Sequence, residues 1–107
     1  MATYSVGTTL AALGDPRRRT IFELVARAPA AVVEIASELP ISRPAVSQHL
    51  KVLKQAGLVI DRAAGNRRIY EVNPEAIGDL RRYLDRFWDL ALHSFKAAAE
   101  KSERKQR

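Results

Sequence analysis

The sequence has no cysteine among its 107 residues. This absence excludes disulfides, thiolate metal sites and thiol redox sensing together, and it fits a reducing compartment. No apolar run approaches the roughly 20 residues that a membrane-spanning helix needs, and the first residues lack the basic start and apolar stretch of a signal peptide. We therefore expect a cytoplasmic protein without thiol chemistry.

Signatures of catalysis are also missing. The chain has 2 histidines, and no cluster of histidine with carboxylates, Gly-rich phosphate loop or nucleophile elbow is present in the sequence. We therefore expect neither enzymatic activity nor a cofactor.

The sequence has fewer acidic than basic residues: its 12 Asp and Glu and 18 Lys and Arg give a net charge of +6. The excess is concentrated between residues 42 and 73, where the acids are Asp61 and Glu71. Such a balance fits a polyanionic partner, either nucleic acid or an anionic membrane surface, whereas an evenly basic surface would serve only solubility. The concentration of positive charge in one segment favours a binding surface for a polyanion over a general role in solubility.

Apolar residues recur at helical spacing in the first half of the chain, which predicts helices over residues 4–13, 16–28, 32–39 and 43–56. Asp15 with Pro16, and Ser42, provide N-caps, and Gly57 provides a left-handed residue at a helix end. The residues expected to face inward are Ile21, Leu24, Val25 and Ala28 in the second helix and Val46, Leu50 and Leu53 in the fourth.

Beyond Gly57 the apolar period changes to that of a β-hairpin, with strands over residues 58–62 and 67–72 and a Gly65-Asn66 tip. Asn73-Pro74 then starts a long final helix. We expect a mainly α fold with a two-stranded β-hairpin, as a single domain over residues 1–100 followed by a charged, frayed tail over residues 101–107.

The final helix carries two adjacent apolar rows, a surface wider than one small domain needs for its own packing. We expect this surplus to join two subunits through the N- and C-terminal helices. The predicted interface residues are Leu10, Leu84, Phe87, Trp88, Ala91, Leu92 and Phe95.

The helix over residues 43–56 has an outer face suited to DNA. With its apolar stripe inward, the outward residues are Arg43, Ser47, Gln48, Lys51 and Gln55. These side chains can meet base edges and phosphates in a major groove about 12 Å wide. A merely solvated amphipathic helix is the alternative. The hairpin favours DNA binding, because Arg62, Arg67 and Arg68 flank its tip and could reach phosphates or the minor groove.

Two stretches resemble the ArsR (SmtB) family of bacterial repressors. They are ALGDPRRR over residues 12–19 and ISRPAVSQHLKVLKQAGLV over residues 41–59, in which SxxxVSQHLKxL is the specific part. The resemblance implies a winged helix-turn-helix homodimer that binds a palindromic operator and leaves it when an effector binds. It further implies that Ser47, Gln48 and His49 lie on the DNA-reading helix, that Lys51 contacts DNA, and that the hairpin is the wing. By angular position alone, His49 could instead be a hydrogen-bonding residue at the core edge.

Many members of that family sense metals, either through cysteines on the helix before the reading helix or through Asp, His and Glu on the last helix shared across the dimer. Residues 32–36 offer no thiolate. On the last helix Asp89 and His93 are one turn apart, but the family's Asp-x-His and His-x-x-Glu pairs are absent, so we interpret the two residues as a surface helix pair and expect no metal. A small-molecule or lipid effector, a protein effector, and no effector at all stay open. So does a helical protein–protein interaction module that keeps the scaffold without reading DNA.

Overall fold

The computed structural model describes residues 5–105. The elements follow in the order α1 (Val6–Gly14), α2 (Pro16–Arg27), α3 (Val32–Ser37), α4 (Arg43–Gln55), β1 (Val59–Ala64), β2 (Arg67–Val72) and α5 (Pro74–Lys105). The mainly helical fold with a two-stranded antiparallel hairpin is thus confirmed. Tyr4, which we placed in the first helix, lies outside the described residues.

Local capping signals start the helices where the sequence predicted. The Asp15 carboxylate accepts hydrogen bonds from the backbone amides of Arg17 and Arg18, at 2.8 and 3.2 Å. The Ser42 hydroxyl accepts from the backbone amide of Ala45 at 3.3 Å. Each bond satisfies an amide that has no partner inside its own helix. The two caps therefore fix the starts of α2 and α4.

The core lies between α2, α3, α4 and the start of β1. Its fully buried side chains include Ile21, Ile35, Leu50, Leu53 and Leu58. The predicted inward stripe is confirmed for all three residues of α4, and in α2 for Ile21 and Val25, with Leu24 half-buried. Ala28 is the exception, because α2 ends at Arg27 and Ala28 is extended and exposed. The residue after it is a proline, which disfavours helical backbone at the preceding position.

The hairpin closes more tightly than the sequence suggested. β1 continues to Ala64, which pairs with Arg67, so that only Gly65 and Asn66 form the turn. Gly65 has φ 64°, a left-handed conformation that a glycine adopts without a steric penalty. Such two-residue turns match the twist of the paired strands.

Two contacts tie the base of the hairpin to the helices. Backbone hydrogen bonds of 3.0 and 2.8 Å join Ala30, in the loop before α3, to Tyr70 of β2. The buried Asn73 donates from Nδ2 to the Gly57 carbonyl at 2.9 Å, while its Oδ1 accepts from the Glu75 amide that opens α5. The hairpin is therefore fixed both to the loop between α2 and α3 and to the chain segments that follow α4 and precede α5.

α5 is a single helix of 32 residues. Residues 101–105, which we expected to be frayed, continue this helix, and residues 106–107 lie outside the described part. The reason is local: the segment is rich in Lys, Glu and Arg, which are strong helix formers, and Glu100 stands four residues before Arg104. Within residues 5–105, no helix has the combination of length and apolar character that crossing a membrane would require.

Candidate nucleic-acid interface

The reading-helix candidate, α4, rests with one face on the core and leaves the other in solvent. Val46, Leu50 and Leu53 are completely buried. The opposite face is exposed along its whole length and consists of Arg43, Ser47, Gln48, Lys51 and Gln55. The short helix α3 and the turn over residues 38–42 precede it, so that the pair forms a helix-turn-helix. This geometry presents donors and acceptors on a rigid support.

His49 lies at the margin of this face. It is half-buried, and it stands three residues after Val46 and four before Leu53, on the flank of the buried stripe. It is also close enough to Asp15 to contribute to the lowered pKa of that carboxyl, of which the amide hydrogen bond from Arg18 is the largest cause. The structure therefore brings Ser47, Gln48 and Lys51 together and sets His49 beside α2.

The three arginines of the wing fall on two faces of the hairpin. Arg68 shares a face with Asp61 and Tyr70, the face that includes buried Val59 and packs towards the core. Arg62 and Arg67 lie on the opposite face, because successive residues of a strand alternate. From the sequence we grouped these arginines as one set, and the strand register places them on two different faces.

Acidic side chains hold two of the three arginines. Asp61 accepts a hydrogen bond from Arg68 Nε at 2.8 Å and forms an ion pair with Lys54 Nζ at 2.9 Å. Arg67 forms an ion pair with Glu34 of α3. For Arg43, Lys51 and Arg62, the described residues provide no ion pair, so these cations remain available to an external anion.

Asp61 is the least exposed of these charged groups, with 8% of its side chain accessible to solvent. The pKa of Asp61 lies below its ordinary value of 3.8, first because Lys54 donates to the carboxylate and next because Arg68 does, and both effects oppose that of burial. The carboxylate is therefore held in its charged form between a helix and a strand.

Sequence reasoning did not single out Lys54, Asp61 or Glu34 as site residues. A signal existed for Asp61, since a two-residue turn at Gly65-Asn66 sets Arg68 opposite Ala63 and hence diagonal to Asp61. Lys54 and Glu34 come from elements that meet the hairpin only in the folded chain. No local pattern indicates those contacts.

The apolar rows predicted for a subunit interface are exposed in the single chain. Trp88 is 64% and Phe95 75% accessible, and Leu84, Phe87, Leu92 and Leu10 are between 40% and 52%. Ala91 is exposed between them. Leu90, which the sequence analysis did not include, is 62% accessible on another side of α5. Apolar area of this extent on one helix is typical of a surface that a partner covers.

Asp89 and His93 stand on the exposed part of α5. Between residues 5 and 105, no group of three or more His, Cys, Asp or Glu side chains is arranged to hold a metal ion. The pair therefore has no third ligand on its own chain in this part of the protein.

Comparison with known proteins gives concordant results. A sequence model described as bacterial regulatory protein, arsR family, matches residues 15–61. The HTH-type transcriptional regulator Rv2034 of Mycobacterium tuberculosis is 54% identical over 96 residues, which are 89% of this chain and 90% of that protein. The transcriptional repressor SdpR of Bacillus subtilis is 35% identical over 68 residues, covering 64% of this chain and 76% of that protein.

A solved structure extends the likeness to three dimensions. It is the homodimeric winged helix-turn-helix DNA-binding domain of Mb0332 from Mycobacterium bovis, a possible ArsR-family transcriptional regulator. It aligns with a TM-score of 0.62 at 30% identity and covers 84% of this chain and 81% of that chain. The order of helices and hairpin described above is thus that of a winged helix-turn-helix.

Proposed function

Because this chain belongs to the arsR family of bacterial regulatory proteins, we propose that it controls transcription as a homodimer that reads an operator through α4 and the wing. Like the relatives with which it shares sequence and fold, the chain is a DNA-binding regulator of transcription. It is not an enzyme. The assignment of contacts to particular residues is our proposal.

One observation carries the proposed DNA contacts. The exposed face of α4 joins Arg43 and Lys51, two cations for which residues 5–105 provide no acidic partner, to the hydrogen-bonding side chains of Ser47 and Gln48. A helix with this composition, supported on its other side by a packed core, fits the major groove. His49 would contact DNA from the edge of this face.

The wing completes the proposed interface. Arg62 is free of internal ion pairs within the described residues and is the member of the wing best placed to bind the flanking backbone or the minor groove. Arg67 and Arg68 would reach DNA only by leaving Glu34 and Asp61. We therefore rank Arg62 first among the wing contacts.

Two copies are needed for this mode of binding. We propose that the exposed rows of α5 pair with those of a second chain, with Leu10 of α1 at their edge. A dimer of this kind would hold two copies of α4 about 34 Å apart, which matches successive turns of one face of duplex DNA. The operator would accordingly be palindromic.

The proposal includes repression, because a bound dimer over a promoter competes with transcription and because SdpR, a relative, is named as a repressor. It also includes action in the cytoplasm and a DNA-reading unit that comprises residues 1–100. No metal is proposed as the effector. A small molecule, a protein or the amount of the regulator itself would set occupancy of the operator.

Footprinting on the DNA upstream of the protein's own gene tests this function directly. The expected result is one protected palindrome with two half-sites a helical turn apart, and affinity that falls steeply as salt rises, since phosphate contacts release counterions. A helical interaction module that does not read DNA would give no protected site, and its binding to any duplex would be uniform along the sequence.

A further inference from the structure

The Asp61 carboxylate joins two elements of the proposed DNA interface. It lies in β1, and its oxygens contact Lys54 at the C-terminal turn of α4 and Arg68 in β2, at 2.9 and 2.8 Å. Lys54 and Arg68 are themselves more than half exposed, at 53% and 59%. Two solvent-accessible cations thus share one nearly buried anion.

This arrangement divides the cations around α4 and the hairpin into two classes. Arg43, Lys51 and Arg62 have no acidic partner in the part of the chain that the structure describes. Lys54 and Arg68 are neutralised in part by Asp61, and Arg67 in part by Glu34. The basic segment therefore presents less available positive charge to DNA than its composition suggests.

We infer that Asp61 limits sequence-independent DNA binding by holding Lys54 and Arg68 in internal ion pairs, so that neither serves as a phosphate contact. The inference rests on the proposed function, since it concerns the same interface. Asp61 is here a positioning residue: it touches no DNA and acts through the two cations.

The low exposure of the Asp61 carboxylate makes its ion pairs with Lys54 and Arg68 hard for a phosphate to replace. Exposed ion pairs are weak and screened by salt, and a phosphate could displace the acid from them. A carboxylate with 8% accessibility has little access to water, and losing a cation would leave its charge poorly compensated. A phosphate must therefore compete against the whole cluster to capture either cation.

The consequence concerns specificity. Phosphate contacts strengthen binding to every sequence alike, whereas base contacts distinguish the operator. A regulator must find one site among a great excess of others, so the ratio of specific to non-specific affinity decides its occupancy. By removing two cations from the phosphate-binding set, Asp61 raises that ratio.

The test compares Asp61→Asn with Glu71→Gln on a duplex that lacks the operator, titrated between about 0.05 and 0.3 M salt. Both substitutions remove one negative charge from the hairpin, but Glu71 lies on the opposite face and has no ion pair among residues 5–105. Each freed cation should steepen the plot of log affinity against log salt by about 0.9. Relative to E71Q, D61N should be steeper by about 0.9 to 1.8 and bind roughly eight- to sixtyfold more tightly at 0.1 M salt.

Equal slopes and affinities for D61N and E71Q would overturn the inference. A wild-type protein without any salt-dependent DNA binding would instead contradict the proposed function, so the two failures are distinguishable. Thermal unfolding and circular dichroism check that D61N remains folded.

Lys54→Met gives a second test that does not depend on the stability of D61N, because Lys54 is exposed. If Asp61 already withholds Lys54, K54M should leave the salt slope within about 0.3 of the wild-type value, whereas Lys51→Met should lower it by about 0.9. In a folded D61N background, K54M should remove about 0.9 from the steeper slope. A K54M slope as low as that of K51M would overturn the inference.

Discussion

Asn73 donates a hydrogen bond from Nδ2 to the Gly57 carbonyl at 2.9 Å, across 16 positions of sequence. Its backbone amide also donates to the Leu58 carbonyl, and its Oδ1 caps α5. One buried side chain therefore connects the end of α4, the base of the hairpin and the start of the long helix. The helix that carries the proposed DNA contacts and the helix that carries the proposed subunit interface are thus connected through this residue.

Asn73→Ala should destabilise the protein by about 2 to 4 kcal/mol. The substitution removes an N-cap, typically worth ~1 kcal/mol, and leaves the Gly57 carbonyl without its partner, at about 1 to 3 kcal/mol for a buried group. Urea unfolding at fixed protein concentration measures the change. Asn66→Ala is the matched control, because Asn66 is exposed at the hairpin tip. An N73A midpoint equal to that of N66A would contradict this role.

Lys51→Ala should weaken operator binding and reduce the salt slope by about one, while fold and subunit assembly stay as in the wild type. The reason is that Lys51 is exposed on α4 and has no acidic partner among the described residues. Lys101→Ala removes the same charge from the distant end of α5 and serves as control. Fluorescence anisotropy with labelled operator measures both. Identical binding curves for the two variants would remove Lys51 from the contact set.

Trp88→Ala should weaken the homodimer by about 2 kcal/mol or more, as truncation of a central aromatic residue commonly does at interfaces. Trp88 is 64% accessible in the single chain and lies in the predicted apolar rows. Leu90→Ala is the control, since Leu90 is equally exposed on another side of α5. Sedimentation equilibrium over a range of concentrations measures the dissociation constants. A W88A protein that stays dimeric at the lowest concentration would argue against this interface.

The lowered pKa of Asp61 makes stability depend on acid. A carboxyl whose pKa is lower in the folded than in the unfolded state stabilises the fold at pH values above its ordinary value of 3.8, and this stabilisation is lost as the pH falls below it. The wild type should therefore lose more stability than Asp61→Asn between about pH 5 and pH 3. Urea unfolding at both pH values measures the difference. Parallel losses in the two proteins would show that the ion pairs contribute nothing.

Excess chelator should leave operator binding and subunit assembly unchanged. Asp89 and His93 lack a third ligand on the described part of their own chain, and the pair is exposed. A gel shift with and without chelator, repeated with His93→Ala, tests this expectation. Loss of binding that added zinc restores in the wild type but not in H93A would identify a metal site.

Local signals were sufficient for most of the framework. Side-chain caps at Asp15 and Ser42 and the Asn73-Pro74 pair set the starts of three helices, and Gly65-Asn66 set the hairpin turn, because each acts within a few residues. The outward face of α4 followed from helical period alone. These features needed no knowledge of what packs against them.

Contacts between distant elements were beyond the reach of such signals. The pairs of Asp61 with Lys54 and of Arg67 with Glu34 depend on where α3 and α4 lie against the hairpin, which local spacing does not encode. His49 was ambiguous for the same reason, since its environment is decided by α2. The frayed tail over residues 101–107 stays a prediction, while residues 101–105 continue α5 in the structure, as their residue types favour helix.

The length of α5 has a mechanical consequence. At 32 residues it extends about 48 Å without a break, and its first turn is anchored beside the hairpin. In the proposed dimer, a rotation of one α5 against the other would therefore carry the whole winged body with it as a rigid arm. If the two copies of α4 lie about 34 Å apart as proposed, each is about 17 Å from the two-fold axis, and turning by ~10° would displace it by ~3 Å, close to the rise of one base pair. A small rotation at the subunit contact would then be enough to shift the two copies of α4 out of register with the two half-sites of the operator.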